Sequence, residues 1–285
     1  MIPGMARLGI NQYGKAETHL VRVTREGGTH QIRDLTVSVA LSGELEAVHL
    51  EGDNSAVLAT DTQKNTVYAF AQEHPIETPE AFAERLARHF LGGAITRSRV
   101  QVIETPWARL NGHAFTQTSR EQRVAVVIAD EALHHVSGIG GLVVLKTTHS
   151  EFHGFPRDRY TTLQETTDRV LATEVAARWR HDGSADYETA RSALIDAFAG
   201  HHSLSLQQTL YAMGEAVLEA CPTVQEIRLS MPNKHHFVVD LEPFGLENPN
   251  EVFHADDRPY GLIEGAVVRE GAPDPGPLWD AYPLV

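Results

Sequence analysis

Two segments near the beginning of the chain alternate apolar and polar residues. In the first, Val21 and Val23 alternate with polar neighbours, and Gly27–Gly28 ends the pattern. In the second, residues 35–41 carry an apolar side chain at every other position. A period of two is typical of a strand that buries one face, and glycine favours the turn between two such strands. The pattern therefore predicts an antiparallel strand pair.

The apolar positions that follow recur at helical spacing. The apolar run 56–59 is predicted to be a buried strand, and Thr60–Asp61 after it are residue types that start helices. This first helix is expected to end before Pro75, because proline cannot continue a helix. A second helix is expected to begin at Thr78–Glu80, with proline at its first position, and to end at Gly92–Gly93.

The second half of the chain repeats this order of elements. Further strands are predicted at 100–103 and 124–128 in the first half, and at 142–145, 175–180, 227–231 and 237–241 in the second. Helices are predicted at 190–200 and 205–221 in the second half. The chain thus contains the unit strand–strand–helix–helix–strand–strand twice, which predicts an α+β fold of antiparallel sheets covered by helices.

This repeat predicts two domains, residues 1–136 and residues 137–285. The second domain includes an extended tail from Glu242, which we expect to be loop-like because Gly271–Pro277 is rich in glycine and proline. Each half-sheet has edges that need a partner, so two such sheets are expected to join into a barrel with a second copy of the chain.

Composition and charge narrow the class of protein. The chain of 285 residues has a formal net charge of −14 and no basic cluster, so nucleic acid is not an expected partner. A single cysteine, Cys221, excludes an intrachain disulfide and fits a reducing compartment. No apolar run resembles a secretory signal or a membrane span. We expect a cytoplasmic protein that does not bind membranes.

The common cofactor signatures are missing from the sequence. There is no phosphate-binding loop of the G-x-x-x-x-G-K-[ST] type, and Gly138–Gly141 precedes a strand, unlike a dinucleotide fingerprint. His149 and His153 are four residues apart, but Gly154 and Pro156 argue against a helix that would bring them together on one face. These observations argue against a metal site and against the common nucleotide cofactors.

The segment from Phe152 to Arg169 is the main candidate for a binding site. Phe152 offers a flat apolar face, and Arg169 offers a planar fork of donors. Together they suit a planar heterocycle with carbonyl groups on its edge. The alternative is that Phe152 belongs to the core and that Arg169 pairs with Asp168 or Glu165, because surface ion pairs are common.

Several polar residues stand at junctions between predicted elements. Thr60–Asp61 begins a helix, where free backbone N–H groups can meet an anion. Gln207 lies in the first turn of another helix, Asn233 and His235 lie in an expected break between the last two strands, and Lys15 precedes the first strand. Each also has an ordinary structural explanation: a solvated lysine, a surface amide, or a turn residue.

Together these segments resemble the urate oxidase (uricase) family. The similarity runs from Tyr13 to Phe237 and is carried by the segments Tyr13–Lys15, Ala59–Asp61 with Lys64–Thr66, Phe152–Arg169, Ser205–Gln207 and Pro232–His235. The resemblance implies a tandem T-fold that assembles as a homotetramer around a tunnel. It also implies oxidation of urate by O₂ to 5-hydroxyisourate and hydrogen peroxide, without metal or organic cofactor.

The resemblance also implies a role for each site residue. Lys15, Thr60 and His235 would relay protons, Phe152 would stack on the purine, Arg169 and Gln207 would hold its edge, and Thr60, Asp61, Leu206 and Asn233 would complete the pocket. Each site would be shared, with Lys15, Thr60 and Asp61 from one chain and the other residues from its neighbour. One departure lies in the pocket, where Leu206 stands in place of the valine of fungal members.

Two other functions remain open from the sequence. The first is another T-fold enzyme that acts on a purine or a pterin, assisted by a metal bound through His149 and His153. The second is a non-catalytic purine-binding relative, which would keep Arg169 and Gln207 but would not need Lys15. Dependence on metal separates the first from a cofactor-free enzyme, and turnover of urate separates the second.

Overall fold

The computed structural model describes residues 6–184 and 186–279. It divides into two compact units, residues Met1–Ser137 with Pro273–Val285 and residues Gly138–Ala272. No helix within the described ranges has the length and apolar character needed to cross a membrane.

The first unit begins with the predicted strand pair. Strands β1 (Tyr13–Glu26) and β2 (Thr29–Gly43) pair antiparallel around Gly27 and Gly28, both at positive φ, as the alternating pattern predicted. The other elements are α1 (Glu46–Leu50), α2 (Thr60–Glu73), α3 (Pro79–His89), β3 (Ile95–Glu104), the two-residue strands β4 (Ala108–Arg109) and β5 (Phe115–Thr116), and β6 (Gln122–Ala129). Antiparallel pairing gives the strand order β1-β2-β3-β6 in this unit.

Helices α2 and α3 supply the helical side of the first core. Val67 and Ala71 of α2 and Phe82 and Leu86 of α3 are buried, as their spacing predicted. They pack with the alternate residues of β2 that point to the same side, including Val37. The Thr78 hydroxyl accepts a hydrogen bond from the Ala81 N–H at 3.1 Å and caps α3, which starts where the sequence predicted.

The strand predicted at residues 56–59 is wrong. Residues 56–59 form no strand, because the Leu58 N–H donates to the Tyr13 hydroxyl at 3.0 Å and not to a neighbouring strand. This bond ties the segment before α2 to the start of β1. It brings the first residue of α2, Thr60, into the same region as Lys15.

The second unit carries the repeat of the same order of elements. Its elements are β7 (Leu133–Lys146), whose first five residues belong to the first unit, β8 (Leu171–His181), α4 (Tyr187–Gly200), α5 (Leu206–Ala220), β9 (Val224–Val238), a 3₁₀ turn at Glu242–Phe244 and β10 (Phe253–Val268). The strand order is β7-β8-β9-β10. Trp179, Leu194, Met213 and Ile227 are fully buried at the centre of its core.

The end of the second unit differs from the prediction in two ways. Residues 232–236 do not interrupt a strand, because β9 runs continuously through them and pairs with both β8 and β10. The chain after Glu242 is not all loop, since β10 adds a strand of 16 residues in place of the strand expected at 237–241. Most residues of β10 are exposed, so this edge strand lacks the apolar alternation that would have revealed it.

The last described residues belong to the first unit. A second 3₁₀ turn covers Gly276–Leu278, and Leu278 and Trp279 pack against a small cluster of buried side chains that includes Val124 and Ile128 of β6. This face of β6 is opposite to the one that packs against α3.

Gly14 makes a close approach that tolerates no side chain. A Cβ at this position would lie 1.8 Å from the Val39 carbonyl oxygen of the paired strand. We expect Gly14→Ala to lower the free energy of unfolding by about 1–3 kcal/mol, because β1 must shift away from β2 next to Lys15. Thermal unfolding tests this, with Gly140→Ala as control, since a Cβ on Gly140 meets nothing within 4 Å. Equal losses of stability in the two variants would contradict the expectation.

Candidate functional site

A cavity of about 670 Å³ lies within the second unit. Six of the nine predicted site residues line it: Phe152, Arg169, Leu206, Gln207, Asn233 and His235. They come from three places in the chain, namely the segment between β7 and β8, the start of α5 and the end of β9. The structure therefore brings together residues that are separated by up to 83 positions in the sequence.

Phe152 and Arg169 lie side by side at the cavity wall. The Phe152 N–H donates to the Thr166 carbonyl at 2.8 Å, and the Thr166 N–H donates to the Phe152 carbonyl at 3.1 Å. These two backbone hydrogen bonds close the intervening segment into a loop. The Arg169 Cζ atom lies 5.2 Å from the centre of the Phe152 ring, within the range of a cation–π contact. Partial burial lowers the pKa of the Arg169 guanidinium from its ordinary value.

The acidic neighbours of Arg169 do not pair with it. The Asp168 carboxylate accepts from the Thr148 hydroxyl at 2.9 and 3.0 Å, and the Glu165 carboxylate accepts from the Gly154 N–H at 3.0 Å. Among residues 6–184 and 186–279, no carboxylate forms a salt bridge with Arg169. The ion-pair alternative raised by the sequence is therefore wrong, and Arg169 presents an unneutralised cation to the cavity.

The start of α5 forms a second wall. The Ser205 hydroxyl accepts from the Gln208 N–H at 3.2 Å and caps the helix, so the predicted helix start is confirmed. Leu206 is buried, whereas Gln207 is exposed at the cavity. The N-terminal end of a helix favours negative charge, as does the Arg169 guanidinium. Both features suit an anionic ligand.

Asn233 and His235 reach the cavity from the same face of β9. They are two residues apart in a continuous strand, so their side chains point to the same side. Asn233 pairs with Thr173 of β8 and Gly261 of β10, where β10 contains a register shift. The His235 ring stacks on the Phe237 ring at a centroid distance of 5.5 Å. The strand and not a turn thus positions both side chains.

The other three predicted residues belong to the first unit. Lys15 lies inside β1 and not before it as the sequence predicted, because β1 already pairs with β2 from Tyr13 onward, and a bulge follows Lys15. Thr60 and Asp61 are the first two residues of α2. The Asp61 carboxylate accepts hydrogen bonds from Lys64 and Asn65. Lys64 chiefly lowers the pKa of Asp61, and the charge of Lys15 contributes to the same shift. These three residues do not line the cavity of the second unit.

The structure also reveals residues that the sequence did not single out. Ser150, Ser203 and Thr209 are fully buried, and the Ser150 hydroxyl accepts a hydrogen bond from Arg169 of the cavity wall; Asn250 lines the cavity at φ 60°. No motif marks them.

His153 and His202 both contact the Glu151 carboxylate, at 3.0 and 2.9 Å. Across the described residues, no group of three or more His, Cys, Asp or Glu side chains is arranged to hold a metal ion.

Comparison with known proteins identifies the family. A family model described as Uricase matches residues 11–129 and 135–264. The chain belongs to the uricase family. A uricase from Arthrobacter globiformis is 55% identical to this uricase-family chain, and the match covers 95% of this chain and 93% of the relative. One from Dictyostelium discoideum is 39% identical, over 93% of this chain and 98% of the relative.

Solved uricase structures agree with the fold of this family member. The crystal structure of the Arthrobacter globiformis uricase superimposes with a TM-score of 0.94 at 52% identity, covering 98% of this chain and 100% of that structure. A Bacillus fastidious uricase, at 23% identity and a TM-score of 0.80, supports the fold alone, over 92% of this chain and 94% of its own. The expected α+β tandem T-fold is confirmed.

Proposed function

We propose that this chain is a urate oxidase that needs neither metal nor organic cofactor. The observation that carries the proposal is the partly buried Arg169 guanidinium, which has no carboxylate partner among the described residues and stands beside Phe152 and Gln207 in a uricase-family chain. Urate is planar and anionic and carries carbonyl and N–H groups on its edge. It matches this site in shape, in charge and in hydrogen-bonding pattern.

The overall reaction consumes urate, O₂ and one water and forms 5-hydroxyisourate and hydrogen peroxide. Urate loses two electrons and two protons, and O₂ takes up both to become peroxide. Water then adds across the oxidised ring, with its hydroxyl group on C5 and its proton on a ring nitrogen. Urate is rich in electrons once deprotonated, so it can reduce O₂ directly, and the protein has to hold it, move protons and exclude bulk water.

Arg169 and Gln207 hold the edge of the substrate in this proposal. The guanidinium donates two parallel N–H bonds to adjacent acceptors on the ring, and the Gln207 amide can donate and accept at once. Phe152 supplies the stacking face. Leu206 and Asn233, which both line the cavity, complete the pocket.

Lys15, Thr60 and His235 move the protons. Lys15 exchanges a proton with the substrate, the Thr60 hydroxyl passes the proton between Lys15 and substrate or water, and His235 is the third member of the relay. Asp61 completes the pocket beside Thr60. The Asp61 carboxylate accepts its hydrogen bonds from Lys64 and Asn65 and not from Lys15.

Each site is shared between two chains in the same proposal, and the enzyme is a homotetramer. Two observations support this arrangement. The proton-relay residues Lys15 and Thr60 lie in one unit, whereas the substrate-holding residues lie in the other. In addition, among the described strands β1 pairs only with β2 and β10 only with β9, so each offers an edge that a second copy can extend into a barrel. The buried Cys221 fits a cytoplasmic enzyme.

The activity gives the first test of the proposed function. Purified protein, freed of metals with a chelator, is expected to consume urate and O₂ in equal amounts and to release hydrogen peroxide. Loss of the ultraviolet absorbance of urate, an oxygen electrode and a peroxide assay measure the three quantities. An absolute requirement for added metal or flavin would contradict the cofactor-free mechanism. Binding of urate without turnover would identify a non-catalytic purine-binding protein instead.

A further inference from the structure

Three buried hydroxyl groups lie between the two substrate-holding residues. Ser150, Ser203 and Thr209 all have zero exposure to solvent. A buried hydroxyl group lowers stability unless it has hydrogen-bond partners, so three together in one place need a structural explanation. We call these three residues the hydroxyl bridge. None of them is among the residues that line the cavity, so we look for the explanation in the residues to which they bond.

Ser150 contacts Arg169 twice. The Ser150 carbonyl accepts from the Arg169 backbone N–H at 2.8 Å, and the Ser150 hydroxyl accepts from Arg169 Nε at 3.3 Å. The first bond holds the backbone of Arg169, and the second holds the plane of its guanidinium. Because Nε is engaged by Ser150, the two terminal nitrogens remain available to a ligand.

The other two members connect Ser150 to α5. The Glu151 N–H donates to the Ser203 carbonyl at 2.8 Å, and the Ser203 N–H donates to the His149 carbonyl at 2.9 Å, so the backbone on both sides of Ser150 is held by Ser203. The Thr209 hydroxyl donates to the Ser203 hydroxyl at 2.7 Å, which in turn donates to the Ser205 carbonyl at 3.1 Å. Ser205 caps α5, and Gln207 follows two residues later.

We propose that Ser150 is a positioning residue for the Arg169 guanidinium, and that Ser203 and Thr209 set the distance from this guanidinium to Gln207. The hydroxyl bridge thereby fixes the spacing of the two groups that hold the substrate. A ligand with adjacent acceptors on a rigid ring requires both groups at a set separation, so an error in spacing weakens the bonds to both. This inference rests on the proposed function, and it explains what fixes the separation between the two residues that hold urate.

A double-mutant cycle tests the role of Ser150. Ser150→Ala in the wild-type chain is expected to raise KM for urate about tenfold with little change in kcat, because a hydrogen bond to a charged group is lost. In an Arg169→Lys background, which lacks the Nε donor, the same change is expected to alter kcat/KM less than about twofold. Ser98→Ala is the matched control, since the Ser98 hydroxyl is equally buried but has no hydrogen-bond partner among the described residues.

A pair of substitutions at Thr209 tests the link to α5 independently. Thr209→Val keeps the shape of the side chain and removes the hydroxyl, whereas Thr209→Ser keeps the hydroxyl and removes a methyl group. We expect Thr209→Val to raise KM about threefold to tenfold and Thr209→Ser to leave it near the wild-type value. The thermal unfolding midpoint of each variant is measured beside KM, so that a loss of folded protein is separated from a change in the site.

The outcomes separate this inference from the proposed function. If the wild-type chain neither binds nor oxidises urate, the proposed function is wrong. If the wild-type chain oxidises urate but Ser150→Ala lowers kcat/KM equally in both backgrounds, the hydroxyl acts through general packing and the positioning role is wrong. If Ser150→Ala does not fold, the Thr209 pair decides, and equal KM values for Thr209→Val and Thr209→Ser contradict the proposal.

Discussion

Replacing Arg169 with lysine weakens the binding of urate about a hundredfold, because a single ammonium group cannot supply two parallel hydrogen bonds to adjacent acceptors. The structure makes this the substitution with the largest expected effect on binding. Arg169 lines the cavity without a carboxylate partner among the described residues, its Cζ atom lies over the Phe152 ring, and its Nε donates to the Ser150 hydroxyl. Lysine keeps the charge but loses the planar fork of donors.

Binding is measured by calorimetry with a purine analogue that the enzyme cannot oxidise. Arg88→Lys is the control, since Arg88 is exposed on α3 and pairs with Glu84 one helical turn away. Lys15→Met is the contrasting variant, because it should lower turnover while the affinity for the analogue stays close to the wild-type value. If Lys15→Met and Arg169→Lys lose affinity to the same extent, the division between substrate-holding and proton-relay residues is wrong.

Mixing two inactive variants restores about a quarter of the active sites, by the symmetry of a two-fold dimer. Lys15→Met and Arg169→Ala each inactivate every site in their own homodimer, because each residue contributes to both equivalent sites. A mixed dimer has one site with both changes and one site with neither. With random pairing about half of the dimers are mixed, and half of the sites in those dimers are intact.

The experiment is carried out by refolding equal amounts of the two variants together and measuring urate consumption. Arg169→Ala mixed with His235→Ala is the matched control, since both residues line the same cavity and every site then keeps one change. Native mass spectrometry establishes that mixed oligomers form. Mixed oligomers that form and remain inactive would show that each site is built within one chain.

Most helices and the central strands were predictable from the sequence alone, because local physics decides them. Thr78–Pro79 and Ser205 start helices through caps that the local residues supply, and the alternation at 35–41 places one face of β2 in the core. The motif segments likewise identified the family and six residues that the fold brings to one cavity. These features need no information from distant parts of the chain.

Only the tertiary structure decided the features that depend on a neighbour. The edge strand β10 is mostly exposed, so it forms because β9 offers it a partner and not because of its own pattern. Pairing with β8 on one side and with β10 on the other keeps β9 continuous through Pro232, where the sequence predicted a break. The ionic environment of Arg169 is a third case, since Asp168 and Glu165 lie within four residues of it in the sequence but bond to Thr148 and Gly154 in the fold. Hydrogen bonds between distant segments make these choices, and no local pattern in the sequence encodes them.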